Sequence, residues 1–358
     1  MEFKNLENLG FCGEIRNSAE GRIKEGFSPA RVIEVNKNSY TVSDGSYEMI
    51  AELTGKLLYD AETPEVLPTV GDWVKIQSLN DNSLAIVHSV LPRKTLLKRK
   101  EPGKKIEFQL IAANIDCGLV VQSAERVNFN LLERYFVMLN ESKIQPVVVI
   151  TKIDLLSGAD LDNLKQSFSN LKNKYIFISN VLENGLNELS KILEAGKTYC
   201  LLGQSGTGKT SLLNGLIGEP IFKVGEIRKK DGKGRHTTVR RQLIVLENKS
   251  IFVDTPGIKQ LGNFEIENGM EQTFDEFSLY SKRCRFKDCS HIHENGCAII
   301  EAVENGEIPE SRYNNFLRLK KESEFYDMSY QEKRKRDKSF GKMVKNYKKY
   351  MRNNIEFL

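Results

Sequence analysis

No stretch of this chain approaches the roughly 20 apolar residues of a membrane span, and Met1-Glu2-Phe3-Lys4-Asn5 lacks the basic-then-apolar pattern of a secretory leader. These absences predict a cytoplasmic protein with no membrane partner. Six cysteines in 358 residues do not make a disulfide framework in that compartment. No internal repeat recurs, and neither charge nor apolar content is extreme: 40% apolar, 28% charged, net +5. The excess positive charge is uneven, because the C-terminal segment carries Lys333-Arg334-Lys335-Arg336, Lys345, Lys348, Lys349 and Arg352. Such a tail reads as a solvated face or as a nucleic-acid contact.

The length allows two or three domains. Residues 1–29 are an N-terminal extension without an assigned role. Residues 30–92 read as short strands, among them Arg31-Val32-Ile33-Glu34-Val35 and Ala85-Ile86-Val87, punctuated by Gly, Asn and Asp turns. That pattern suits a small OB-like β-barrel. Across residues 105–265 strands alternate with helices. Gly118-Leu119-Val120-Val121 and Pro146-Val147-Val148-Val149-Ile150 are unbroken apolar runs, as expected of strands buried on both faces. The helical spacing over 131–141 and 161–171 takes Asn130 and Asp160 as N-caps. An α/β domain with a largely parallel sheet follows. Residues 270–330 are helical and polar and hold a cysteine cluster, and 331–358 form the basic tail. Cys117 and Cys200 sit in strand-like runs and read as small core residues.

The chemistry lies in three motifs. Gly203-Gln204-Ser205-Gly206-Thr207-Gly208-Lys209-Thr210 follows an apolar strand and opens a helix at Ser211, the context a phosphate loop requires. Its glycines let backbone amides turn towards phosphate oxygens. Lys209 reaches the β- and γ-phosphates, and the Thr210 hydroxyl is a Mg²⁺ ligand. Asp254-Thr255-Pro256-Gly257 ends a second strand, with Asp254 placed to hold Mg²⁺ through water and Gly257 to meet the γ-phosphate. Thr151-Lys152-Ile153-Asp154 ends a third. The Asp154 carboxylate accepts from guanine N1–H and the 2-amino group; adenine offers no donor there and is rejected. Thr151 stands where Asn is commoner, which weakens the expected tie to the phosphate loop. Ser179-Asn180 is expected to contribute a backbone contact to the guanine oxygen. Between the last two strands, Gly232-Lys233-Gly234-Arg235-His236-Thr237-Thr238 reads as a loop that orders around γ-phosphate and Mg²⁺, with Thr238 or Thr237 the second hydroxyl ligand. Ile258 occupies the place of a water-orienting Gln, which leaves His236 as the candidate substitute beside Lys209.

The motif order is permuted, with the guanine-reading segment ahead of the phosphate loop. A separate cluster, Cys284-x4-Cys289-x-His291-x5-Cys297, offers three thiols and an imidazole, with His293 a second nitrogen donor. Four such ligands suit a closed, structural Zn²⁺ site. Lys282, Arg283, Arg285 and Lys287 surround it, a reasonable RNA-binding surface.

The phosphate loop through Asn214, Gly234-Arg235-His236-Thr237-Thr238, Asp254-Thr255-Pro256-Gly257 and the cysteine cluster resemble the circularly permuted GTPases. The resemblance is strongest to the ribosome small-subunit-dependent GTPase A family (RsgA, also called YjeQ or YloQ), and it covers residues 30 to 330 or so. It implies an OB barrel, a permuted P-loop GTPase and a small α-helical zinc-binding domain. It also implies slow intrinsic GTP hydrolysis to GDP, stimulated by the small (30S) ribosomal subunit and its 16S rRNA, in late maturation of that subunit by a monomeric protein. Among the candidate zinc donors the family pattern selects His291. The chain departs from the family at Thr151, at Val239 after the Thr pair and in its N-terminal extension. Two other readings fit the same residues: a nucleotide-gated RNA-binding module with little catalysis, and a permuted GTPase of large-subunit assembly.

Overall fold

The computed structural model describes residues 4–11, 13–36, 39–100, 108–169, 171–179, 181, 185–218, 241–254 and 267–327. The chain begins with two short helices, α1 (Lys4–Glu7) and α2 (Gly13–Ala19). Strands β1 (Ser28–Val35), β2 (Tyr40–Ser43) and β3 (Glu48–Leu53), helix α3 (Gly55–Tyr59), and strands β4 (Trp73–Leu79) and β5 (Leu84–Val90) follow. Their order β1-β2-β3-β5-β4, closed by a β1–β4 pairing, is a five-stranded barrel. Alternation supplies its core: Ala30, Val32, Val42, Met49, Ala51, Val74, Ile76, Ala85 and Val87 point inward. Leu57 of α3 packs against that core, after Thr54 caps the helix by accepting from the Leu57 amide.

A hairpin of β6 (Leu96–Lys100) and β7 (Phe108–Ala113) leads into the α/β region. There β8 (Cys117–Ser123), α4 (Phe129–Glu141), β9 (Gln145–Thr151), α5 (Gly158–Ser167), β10 (Lys174–Phe177), α6 (Gly185–Ser190), β11 (Thr198–Leu202), α7 (Lys209–Ile217), β12 (Arg241–Val245) and β13 (Ile251–Asp254) succeed one another. The order is β10-β9-β8-β11-β13-β12, parallel except for β12. Every β8 residue is buried. Val120, Val148, Ile150, Cys200 and Leu202 pack on α4, while Leu119, Val121, Val147, Val149 and Phe252 share the opposite core with Leu189 of α6 and Leu212 and Leu213 of α7. The antiparallel pairs Glu34↔Gln242 and Val35↔Arg241 join β12 to β1, so barrel and α/β region form one eleven-stranded sheet. Helices α8 (Glu267–Thr273), α9 (Asp275–Ser281), α10 (Ala298–Glu304) and α11 (Glu310–Asp327) complete the described chain.

Two helix starts differ from the sequence-based expectation. The α4 cap is Asn128, whose side chain accepts from the Leu131 amide at 3.0 Å, and the α5 cap is Ser157, which accepts from the Asp160 amide. Asn130 and Asp160 fall inside the first turns. In each case an upstream extended residue with a polar side chain reaches the free amides first. Helix α5 also stops at Ser167, short of residue 171.

The N-terminal extension is built in. Leu6, Leu9, Phe11 and Ala19 pack with Trp73 and Leu91 of the barrel. Beneath them Arg31 is 1% exposed. Its guanidinium donates to the Leu9 carbonyl, to the Gly71 carbonyl at 3.3 Å, to the Asn114 carbonyl at 3.5 Å and to Thr198 Oγ1 at 2.8 Å. It also lies 5.5 Å from the centre of the Trp73 ring. Replacing Arg31 by Met should leave several of these buried acceptors unpaired and cost about 3 kcal/mol or more. Trp73 is the only tryptophan, so its fluorescence in a urea titration reports on this junction. An unchanged midpoint would refute the assignment of Arg31 as the lock.

Candidate functional site

Parallel strands present their C-terminal ends along one edge, and there the sequence motifs meet. Strand β11 runs into the phosphate loop, whose Gly203, Gly206 and Gly208 have φ of 140°, 83° and 88°. At Gly203 a Cβ would lie 2.2 Å from the Val121 carbonyl oxygen, so only glycine fits. Gln204, Ser205 and Gly206 are exposed, and Thr207 is buried with its hydroxyl donating to the Gln204 carbonyl at 3.0 Å. Lys209, Thr210 and Ser211 form the first turn of α7. The Lys209 ammonium donates to the carbonyls of Gly203 at 2.8 Å and Gln204 at 2.6 Å, folding the loop around its own cation.

Thr151 ends β9 fully buried, and its hydroxyl donates to the Thr207 carbonyl at 2.7 Å, with the Gln122 carbonyl at 3.2 Å as the alternative acceptor. The tie between the two loops is made here by a hydroxyl, which spans the gap because the loops approach closely. Lys152 follows with φ of 59°, which turns the chain into the short 3-10 turn Ile153–Leu155. The Ser179 hydroxyl donates to Asp154 Oδ1 and accepts from the Val181 amide at 3.1 Å. Ser179 thus fixes the carboxylate with its side chain, a role the sequence reading missed. Gly185 was missed as well. A Cβ there would meet the Ser179 carbonyl oxygen at 1.7 Å, so the start of α6 presses against this loop.

Asp254 closes β13 on the same edge, opposite Gln242 of β12. Asn180, His236, Thr237, Thr238 and Gly257 lie outside the described residues.

A second centre lies between α9 and α10. The donor atoms of Cys284, Cys289, His291 and Cys297 fall within 4.8 Å of one another. Cys284 Sγ and Cys297 Sγ are 3.9 Å apart, and His291 Nδ1 is 3.7 Å and 3.5 Å from them. A tetrahedral ion with metal–sulfur bonds of roughly 2.3 Å has ligand edges of about 3.8 Å, so the donors fit one. His293 is not among them. Burial, then the nearby Lys320 charge, lowers the His291 pKa and favours the neutral, ligating imidazole.

The knuckle is shaped by an acid the sequence reading passed over. Glu294 accepts from the amides of Ser290 at 2.8 Å, Ile292 at 3.0 Å and His293 at 3.2 Å, and from the Ser290 hydroxyl. These donors, the hydroxyl first, hold its carboxyl below the usual carboxylate range. They stabilise a backbone in which His291 takes φ of 65°. The Tyr313 hydroxyl donates to the His291 carbonyl at 2.6 Å from the other side. On the outer surface Lys282, Arg283, Arg285 and Lys287 are exposed. Arg283 lies over Tyr280 and Arg285 over the exposed ring of Phe286.

Comparison with known proteins gives a consistent picture. A family model described as RsgA GTPase matches residues 90–264. The small ribosomal subunit biogenesis GTPase RsgA 1 of Bacteroides thetaiotaomicron is 35% identical over 356 residues, spanning 97% of this chain and 98% of that protein. The small ribosomal subunit biogenesis GTPase RsgA of Streptomyces avermitilis is 36% identical over 304 residues, 84% and 80% of the two chains. The crystal structure of YjeQ from Thermotoga maritima superposes with a TM-score of 0.62 at 28% identity, covering 83% of this chain and 98% of that one. That of YloQ, described as a circularly permuted GTPase, gives 0.61 at 25% identity over 84% and 96%.

Glu294→Ala should keep all four metal donors yet weaken ion affinity about 10- to 100-fold, because the knuckle loses its template. The half-point of metal removal by a chelator measures this. A half-point equal to that of the unaltered protein would mean that the carboxylate does not shape the site.

Proposed function

The chain belongs to the RsgA GTPase family, and on that footing we propose that it hydrolyses GTP on the small ribosomal subunit, helps that subunit mature in the cytoplasm, and leaves once the nucleotide is spent. The observation that carries this reading is the Thr151–Thr207 bond, which joins guanine-reading and phosphate-binding loops into one pocket wall.

In this reading Asp154, steadied by Ser179, accepts from guanine N1–H and the 2-amino group, with Lys152 and Ile153 shaping the turn. The backbone at Ser179-Asn180 faces the guanine oxygen. The amides from Gly203 through Gly208, then those of Lys209, Thr210 and Ser211, surround the phosphates at the α7 N-terminus. Lys209 leaves its loop carbonyls for the β- and γ-phosphate oxygens. The hydroxyls of Thr210 and Thr238 and the Asp254 carboxylate, all oxygen donors, suit Mg²⁺. Bound with the nucleotide, Mg²⁺ neutralises charge that develops on the transferring phosphoryl group. Thr237 lies beside that ligand, and the Gly257 amide meets the γ-phosphate. Water attacks the γ-phosphorus, the bond to the β-phosphate oxygen breaks, and GDP and phosphate leave. His236 places the water, since Ile258 has no polar group to do so.

The Cys284, Cys289, His291 and Cys297 donors hold one structural Zn²⁺, closed to substrate because all four positions are protein ligands. The exposed cations around it contact 16S rRNA phosphates, and Tyr280 and Phe286 add ring faces. The protein acts as a monomer. Among the described residues no helix is long and apolar enough to cross a membrane.

GTP turnover measured with separated subunits tests the proposal. Small subunits should accelerate hydrolysis by the wild-type protein and large subunits should not; equal stimulation by both would overturn the assignment. His236→Ala should lower the stimulated rate by about 10²-fold, the usual scale of a lost acid–base or water-placing group. Thr151→Val removes one buried hydrogen bond and should weaken GTP binding about fivefold to tenfold, read by equilibrium titration. Unaltered affinity would mean that the tie between the loops does not matter to the nucleotide.

A further inference from the structure

Strand β8 lies between β9, which ends in the Thr151-Lys152-Ile153-Asp154 turn, and β11, which runs into the phosphate loop. Its last residue, Ser123, pairs with Thr151 across the β8–β9 ladder. Successive strand residues point to opposite faces. Leu119 and Val121 share a core with Leu212 and Leu213 of α7, so Ser123 falls on the face that α7 covers. Thr151, two residues beyond Val149 of that core, falls there too.

Distances fix the surroundings of this strand tip. The peptide between Gln122 and Ser123 presents its carbonyl to the Thr151 hydroxyl at 3.2 Å, and the same hydroxyl reaches the Thr207 carbonyl at 2.7 Å. On the other side a Cβ at Gly203 would lie 2.2 Å from the Val121 carbonyl oxygen. The end of β8 therefore touches both nucleotide loops.

Among the described residues the Ser123 hydroxyl has no hydrogen-bond partner, although the residue is only 8% exposed. Ser123 is the N-cap of the short 3-10 turn Ala124–Arg126, yet its side chain accepts from none of that turn's amides, the usual task of a serine there. A buried hydroxyl left unpaired costs stability. Trp73 Nε1, His88 Nε2 and Glu276 Oε2 are likewise buried without a partner, but they lie in the barrel and in α9. The loop beside Ser123 is closed on itself, with Lys209 held by the carbonyls of Gly203 and Gln204. Those bonds are given up when Lys209 turns to phosphate, so this loop rearranges on binding.

We propose that Ser123 is a further nucleotide-binding residue, whose hydroxyl gains its hydrogen bond only when a guanine nucleotide is seated between the two loops. Diphosphate and triphosphate serve alike. Strand β8 stands between the guanine-reading and phosphate-binding strands, whereas β13, whose Asp254 serves the γ-phosphate side, lies beyond β11. The unpaired hydroxyl costs stability, and binding relieves that cost. This deepens the guanine-nucleotide reading above and rests on it.

Two measurements on the full chain separate this role from a structural one. Ser123→Ala removes the hydroxyl without stranding a partner, so the urea midpoint of the nucleotide-free protein should be no lower than that of wild type. In equilibrium titrations the same variant should bind GDP and GTP each about fivefold more weakly, the scale of one lost hydrogen bond. Thr151→Val breaks a bond already made without nucleotide, and should by contrast lower the midpoint as well. A Ser123→Ala midpoint below wild type, or a failure to fold, would show that the hydroxyl already has a partner and overturns the proposal. GDP affinity within about twofold of wild type overturns it too, as does a loss confined to GTP. Should the wild-type protein bind neither nucleotide, the guanine-nucleotide reading itself fails, and this inference with it.

Discussion

A single buried cation sets the arrangement on which the nucleotide edge depends. Arg31 lies in β1, yet its donors serve the N-terminal extension at Leu9, the barrel at Gly71, the approach to β8 at Asn114 and the first residue of β11 at Thr198. A guanidinium has enough fixed donors to serve several carbonyls at once. Next to Gly71, Asp72 is fully buried and held by Arg93 through hydrogen bonds of 2.7 Å at both carboxylate oxygens. The far end of β11 is the phosphate loop. The barrel is therefore fixed to the foot of the strand that runs into that loop, and the close approach of Gly71 to the Ala113 carbonyl leaves little room for sliding.

The permuted motif order matters mechanically for the same reason. In this chain the strand that re-enters the sheet after residue 240 is β12, and β12 pairs directly with β1 of the barrel. The strand that ends at Asp254 leads, beyond residues 255–266, to α8, which packs on α4. The two strands β12 and β13 thus lead to different neighbours, one to the barrel and one to the helices that carry the Cys/His cluster. Arg31 of the barrel holds the start of β11, and Cys200 and Leu202 of that strand share a core with α4, on which the other neighbour sits.

What was legible in the sequence was what is local. The phosphate loop, Asp154 and the four metal donors announce themselves by spacing, because each chemistry needs its groups within a few residues. The barrel was legible from alternation, and the parallel sheet from unbroken apolar runs. Arg31 was not, since in Arg31-Val32-Ile33-Glu34-Val35 alternation assigns a charged residue to the solvent face. Its acceptors come from residues 9, 71, 114 and 198, which no local pattern brings together. The extension was silent because α1 and α2 are too short to show periodicity and become stable only by covering Trp73. The Thr151 bond to Thr207 was not legible for a related reason: side-chain length says little until the width of the gap is known. Ser179, Gly185 and Glu294 act through contacts fixed by the fold: in sequence Ser179 offered only a backbone contact, and the other two read as ordinary loop residues.

The metal-bearing region shows why these long-range contacts cannot be separated from function. Helices α9 and α10 are seven residues each, too short to be stable alone. Their apolar cluster, with Phe274, Phe277, Ile299 and Leu319, includes Val137 of α4 and the thiols of Cys289 and Cys297. Neither the apolar residues nor the ligands close this core without the other. The knuckle is tied through Tyr313 to α11, and α11 through Arg312 and Asn315 to Glu133. Each step is a buried or half-buried polar contact, costly to break. The helix that seats this small donor-bearing unit is therefore also one on which the central strands of the sheet pack.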